Sequence, residues 1–256
     1  AVTILPFLWM PSTAFKFEQD VFRFPIEWVP SSIRWKNFQD VFTKIPYLNY
    51  YWNSIRLSVI ITVLTLLTSS LAAYSFAKLR YRGRDQLFLL YLATLMVPWQ
   101  VIMIPQFMVI SKLKLAETHL SLILTQSCTP FGVFLLRQAF MGISEEYSQA
   151  AKIDGCTHLE ICFRIILPMV KPGLSALTIF TFMGCWNDYL APLIFLTSNS
   201  KRTLQLGLKY FQAEHSTSFA LLMAGTLMAL FPVLIVYVMA QKQIIKGMAN
   251  AGGIKG

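Results

Sequence analysis

The chain has 256 residues, 55% of them hydrophobic and 13% charged, with a formal net charge of +10. A soluble domain carries about 25% charged residues, so this composition excludes an ordinary soluble domain and points to a bilayer protein. The positive balance comes without a basic stripe interleaved with aromatics, and it is assigned to lipid headgroups, not to nucleic acid.

The opening AVTILPFLWM is apolar up to Pro11, whereas a spanning helix needs about 20 residues. It lacks the basic flank and cleavage site of a signal peptide. It is expected to be the end of a first membrane helix whose opening turns precede the numbering. A polar-aromatic segment follows over 11–53. The second span is predicted over 54–78, uncharged after Arg56 and rich in small residues that let helices approach closely. The third, 86–110, contains Pro98 and Pro105, which are expected to kink it. The fourth, 120–140, holds Pro130, and two more follow at 172–196 and 219–241.

The expected fold is therefore all-α: a polytopic membrane protein with six transmembrane helices in a single domain over 1–256. Short polar stretches lie at 78–85 and 111–119, a longer one at 197–218, and a tail runs from 242. Lys78, Arg80, Arg82 and Arg84 crowd one helix end. That density places 78–85 in the cytoplasm, and with it the segment at 144–168 and the tail. The four cysteines have no CxxC spacing and the three histidines do not cluster, so neither a disulfide framework nor a metal site is expected. The cysteines are read as buried small hydrophobes.

The segment 144–168 interrupts the apolar pattern with a compact two-part polar stretch. Ser144 is placed to cap a short helix over 145–153, with Glu145 and Glu146 at the positive end of its dipole. Asp154-Gly155 is a stop signal, since glycine accepts the left-handed conformation at a helix end. Thr157 and Glu160 have the spacing of a capping box. They open a second helix that is expected to end before Pro168. The apolar residues of this pair exceed what it can bury by itself, so a partner is expected to cover some of them.

The same stretch, QAAKIDGCTHLEICFRIILP, resembles the EAA motif of ABC importer permeases, written EAA-x3-G-x9-I-x-L-P. The matching positions are Gln149, Ala150, Ala151, Gly155, Ile165, Leu167 and Pro168, with Gln149 where the motif has Glu. NSIRLSVIITVLTLLTSSLAAYSFAKLRYRGR, WNDYLAPLIFLTS and QKQIIKGMANAGGIKG are similar to the smaller permease of carbohydrate importers of the maltose and glycerol-phosphate type. The resemblance implies the type I importer fold, a second permease subunit, two ATPase subunits and an extracytoplasmic solute-binding protein, with both termini cytoplasmic. It assigns ATPase coupling to Glu145, Glu146, Gln149, Ala150, Ala151, Asp154, Gly155, Ile165, Leu167 and Pro168. The departure at Gln149 leaves a neutral hydrogen-bonding group where the motif has a charge, which Glu145 or Glu146 could supply instead.

No GxxxxGK[ST] phosphate loop occurs in the chain. Binding of ATP and Mg is therefore assigned to a partner ATPase, and the chain itself is expected to carry no cofactor. It contains neither Gly-x-Ser-x-Gly nor HExxH, so a catalytic role is not expected. Polar groups at membrane depth mark function or interhelical bonding. On that ground Trp186, Asn187, Asp188 and Tyr189, together with Trp99, Gln100 and Gln126, are candidates for a carbohydrate pathway. Each has the alternative of holding helices together. Trp186 to Tyr189 are placed within the fifth span. In the external stretch Lys201, Arg202, Lys209 and Tyr210 are candidate contacts to the solute-binding protein, with a plain solvated loop as the alternative. Two other functions compete: a self-sufficient secondary transporter or channel, which needs buried ionisable groups for ion coupling, and a membrane-embedded enzyme.

Overall fold

The computed structural model describes residues 5–212 and 217–252, with side chains described to residue 241. Among the described residues there is no β-strand. The helices are α1 (Leu5–Ala14), α2 (Lys36–Lys44), α3 (Tyr47–Lys78), α4 (Arg84–Met96), α5 (Trp99–Lys112), α6 (His119–Gln126) and α7 (Pro130–Met141). They continue with α8 (Glu145–Ile153), α9 (His158–Met169), α10 (Lys171–Trp186), α11 (Leu190–Phe195), α12 (Leu204–Leu208) and α13 (Phe219–Gly252).

Among the described residues two helical stretches are long and apolar enough to cross a bilayer alone, Tyr47–Lys78 and Phe219–Gln241. Three bent pairs pass the same test together: α4 with α5, α6 with α7, and α9 with α10, giving up to five spans. The proline positions explain the bends. At Pro98 the chain turns by 99° instead of kinking gently, because Val97 is extended and Pro98 sits at the start of α5. Pro105 leaves α5 unbroken. Pro130 opens α7 after a 42° turn, with Thr129 accepting a hydrogen bond from the Gly132 amide. α1 runs through Pro11 to Ala14, and residues 1–4 and 253–256 lie outside the described residues.

The chain divides into two compact units, one made of residues 1–56 and 186–235, the other of 57–185 and 236–256. In the first, side chains clamp backbone. The Asn37 amide donates to the carbonyls of Ala14 (2.9 Å) and Lys16 (2.7 Å). The Tyr47 hydroxyl donates to Gly225 O at 2.8 Å. The Glu18 carboxylate accepts from the amides of Phe219 and Ala220, at 2.7 and 3.0 Å. A negative charge there satisfies the free amides that begin α13 and complements its dipole. Gly207 is needed for space: a β-carbon would collide with the Tyr50 ring.

In the second unit, α3 presents a buried stripe of Ser58, Thr62, Thr65, Ser69 and Ser70. Small residues let the α6–α7 break come close. Thr65 donates to Gln126 O (3.4 Å) and Thr68 to Ser127 O (2.7 Å). Non-helical backbone in an apolar surround needs such donors. Arg137 is set into this unit. Its side chain is 11% exposed. It donates to Phe76 O (3.2 Å) and to Asp85 (3.2 Å), and lies 4.0 Å over the Phe88 ring. The cysteines also depart in part from expectation: Cys162 is buried, Cys156 and Cys185 are half-buried and Cys128 is exposed, and all four are free thiols.

Candidate functional site

The second unit contains the polar projection, residues 144–169. α8 begins where the Ser144 hydroxyl accepts from the Glu146 amide. It ends in paired bonds from Gly155 N to Lys152 O (3.1 Å) and from Cys156 N to Ala151 O (2.9 Å). This is a Schellman closure. It requires Gly155 at φ +82°, and nothing stands within 4 Å of a β-carbon there. The glycine is therefore required by conformation and not by space. The box at the start of α9 is closed in both directions. Thr157 N donates to Glu160 Oε2 at 2.9 Å, and Glu160 N donates to Thr157 Oγ1 at 3.4 Å. The bond from the Thr157 amide, and after it the one that the Thr157 hydroxyl donates to Glu160 Oε2 at 2.9 Å, hold the Glu160 carboxyl below the usual glutamate range, with help from Arg164 at 3.2 Å.

The projection is rooted in a core. Ala151, Ile161, Cys162 and Ile166 are buried in one cluster with Ala73 and Tyr74 of α3 and with Leu136 and Phe140 of α7. Ala151 must be small to fit there, whereas Ala150 is exposed. Tyr74 adds a contact from its hydroxyl to His158 Nδ1 at 3.2 Å. The projection also carries exposed apolar residues: Tyr147 is 52%, Ile153 87% and Leu159 62% exposed.

α9 corrects one expectation: it passes through Pro168 to Met169. Residues 161–166 wind as a wider π-turn. This eases the clash that proline makes with the carbonyl four residues back. The chain then turns by 87° at Val170 into α10. Ile165 and Leu167 are half-buried, and Pro168, Asp154, Glu145, Glu146 and Gln149 are exposed. A groove of about 590 Å³ runs along the polar side of α8, lined among others by Lys78, Arg80, Glu145, Gln149 and Lys152.

In the first unit the WNDY stretch differs from its predicted place within a span. α10 ends at Trp186, and Asn187, Asp188 and Tyr189 form the break before α11. Pro192 is the sequence signal for it. In a continuous helix its ring would strike the carbonyl of Asp188, but in the first turn of α11 it is tolerated. Trp186 is 2% exposed, donates from Nε1 to Ala229 O (3.2 Å) and meets the Tyr51 ring edge-on. Asp188 Oδ1 accepts from Ala191 N at 3.2 Å and so caps α11. Asn187 is exposed and accepts from Gln205 Nε2 at 3.4 Å.

Tyr189 and Lys209 share a cavity of about 330 Å³ with Gln205, Gln212 and Thr226. The sequence assigns Tyr189 and Lys209 to separate roles and misses the two glutamines, because only the fold brings these positions together. The stretch after α11 is no plain solvated loop in its described part. Asn53 donates to the carbonyls of Ser200 and Arg202, at 2.9 and 3.0 Å, and Ser54 Oγ accepts from Leu204 N at 2.8 Å. Lys201 and Arg202 are half-buried and Tyr210 is 64% exposed. Residues 213–216 lie outside the described residues. Trp99, Gln100 and Gln126 belong to the other unit. Trp99 Nε1 donates to Gln106 at 3.1 Å, Gln100 is exposed, and the Gln126 carboxamide faces Cys185 Sγ at 3.6 Å. No cluster of three or more metal-ligating side chains occurs among the described residues.

Comparison with known proteins gives a consistent result. The family described as binding-protein-dependent transport system inner membrane component matches residues 65–250. The chain is 35% identical over 258 residues to the arabinooligosaccharides transport system permease protein AraQ of Halalkalibacterium halodurans, covering 100% of this chain and 92% of that protein. It is 33% identical over 250 residues to the lactose transport system permease protein LacG of Rhizobium radiobacter, covering 98% and 91%. Among solved structures it is similar to a chain of a bacterial ABC transporter involved in the import of the acidic polysaccharide alginate. The TM-score is 0.85 and the identity 25%, over 94% of this chain and 90% of that one.

Proposed function

Because the chain belongs to the family of binding-protein-dependent transport system inner membrane components, we propose that it is the permease subunit through which an ATP-driven importer moves a carbohydrate. The cargo is a sugar, an oligosaccharide or a related polyol, a choice supported by relatives named for arabinooligosaccharide and lactose transport and by the alginate importer. The whole chain, 1–256, is one transmembrane domain of six spans in the cytoplasmic membrane of a bacterium or archaeon, with both termini cytoplasmic. A second permease completes the pathway and a solute-binding protein delivers the cargo. Two separate ATPase subunits bind ATP and Mg and hydrolyse the nucleotide, so this chain is a non-catalytic subunit.

The observation that carries the coupling role is the projection: closed by its own caps, rooted through Ala151 and Ile161, and with Tyr147, Ile153 and Leu159 exposed. Exposed apolar residues on a capped element suit a protein partner. When the ATPases close on ATP, α8 is displaced. Since α8 and α9 are joined by capped turns, the displacement passes to the cluster with Ala73, Tyr74, Leu136 and Phe140. The spans then shift between inward-open and outward-open states that differ in affinity for the cargo. Asn187 and Tyr189, with Trp99, Gln100 and Gln126, are proposed on the cargo's path. Trp186 and Asp188 shape the break beside it. Lys201, Arg202, Lys209 and Tyr210 are proposed to meet the solute-binding protein.

The test is purification in mild detergent followed by reconstitution. Co-elution with an ATPase and ATP-dependent uptake of labelled oligosaccharide are expected. Uptake by the chain alone in liposomes would refute the assignment and favour a self-sufficient transporter.

A further inference from the structure

The groove along α8 holds more positive charge than its own contacts neutralise, and we propose that it binds a phosphate group. Its lining contains the cations Lys78, Arg80 and Lys152 against one carboxylate, Glu145. Arg80 and Glu145 already pair at 2.8 Å. Lys78 gives one N–H to Ile143 O at 2.6 Å, which leaves two donors on its ammonium. The side chains of Lys152 and Gln149 make no hydrogen bond or ion pair among the described residues. Ser148 also lines the groove, and its buried hydroxyl has no hydrogen-bond partner among the described residues. An unsatisfied buried hydroxyl in one groove with three cations and a single carboxylate, itself paired to Arg80, is what an oxyanion site offers before its ligand arrives.

Gln149 decides the chemistry. The motif that this segment resembles has Glu at that position, and a second carboxylate would cancel another cation and repel phosphate. The amide instead leaves the lining at two net positive charges and adds an N–H donor. Lys78 is the last residue of the apolar helix Tyr47–Lys78, and a cation at the end of a membrane-crossing helix meets lipid headgroups. The phosphate can come from an anionic lipid headgroup or from a free phosphate in solution. Bound there, it would bridge the end of α3 to α8 and stiffen the projection.

The test uses the full chain with its co-eluting subunits in phosphatidylcholine vesicles. One arm measures binding of labelled inorganic phosphate by equilibrium dialysis. The other measures the immobilised fraction of spin-labelled phosphatidylglycerol added to the same vesicles. Saturable binding in either arm is expected, falling with salt, and weakened about tenfold by Gln149→Glu and by Lys152→Gln. Inorganic phosphate binding identifies a free-anion site, and binding of phosphatidylglycerol alone identifies a headgroup site. Should neither probe bind, or should both variants bind like the parent, the proposal is overturned. Both positions are exposed, and if one variant fails to assemble, the other and the parent's salt dependence decide. A parent whose binding ignores salt also overturns it.

Discussion

The projection at 144–169 and the break at Asn187–Tyr189 both interrupt apolar helices with polar residues, yet they are held in different ways. In the projection most polar bonds close within five residues: Ser144 to Glu146, Gly155 to Lys152, Cys156 to Ala151, Thr157 with Glu160. At the break the Asp188 cap on Ala191 and the bond from Leu193 N to Tyr189 O are local, but other bonds run far along the chain. Trp186 reaches Ala229, and Asn187 reaches Gln205. A locally capped element keeps its shape when it is pushed, which suits a lever. A break held by distant partners takes its shape from its whole unit, and altered packing changes it.

The largest expected effect separates the two at once. Trp186→Ala removes a nearly fully buried ring and its hydrogen bond to Ala229. It should cost about 3–5 kcal/mol and lower the thermal midpoint, while hydrogen exchange in the projection stays slow. Gly155→Ala should act in the reverse sense. It forces a β-carbon into φ +82° with no steric clash, so about 1–2 kcal/mol is expected from backbone strain. Exchange should rise at Gly155 and Cys156 and leave residues 186–195 unchanged.

Asp188 sharpens the comparison further, because its cap needs an acceptor and not a charge. Asp188→Ala should cost about 1 kcal/mol, whereas Asp188→Asn keeps Oδ1 and should retain most uptake. Abolished uptake in Asp188→Asn would instead point to an ion-coupling carboxylate. The smallest effect concerns Glu160. Its folded-state pKa is lowered, first by the bonds from Thr157, so its contribution is complete above the ordinary glutamate range. It is lost as pH falls through the lower folded-state value. Exchange at the Thr157 amide should accelerate on acidification beyond the intrinsic trend, and Glu160→Gln, which removes the titrating carboxyl, should abolish that pH dependence while Thr157→Ala, which keeps the backbone donor, only reduces it.

The same contrast explains what the amino-acid order reveals. Ser144, Asp154-Gly155 and the Thr157–Glu160 pair were legible because their partners lie within a few residues. Which apolar residues of α9 would be buried was not, since Ile161 and Ile166 look no different from Leu159 until α3 and α7 are in place. The passage of α9 through Pro168 depends on a π-turn that no local signal announces. The break after Trp186 is missed because the apolar run around it reads as one span, although Pro192 is a local signal for it. The pairing of Tyr189 with Lys209 in one cavity joins positions that only the tertiary fold makes neighbours.

The central claim is that the projection is gripped by an ATPase. Ile153, 87% exposed on α8, can be replaced by a photocrosslinking phenylalanine without disturbing the root of the projection. In the reconstituted complex, the account expects an ATP-sensitive crosslink from position 153 to the ATPase, and loss of sugar uptake in Ile153→Asp with assembly of the spans intact. A crosslink that never reaches the ATPase, together with full-rate uptake in Ile153→Asp, would contradict it.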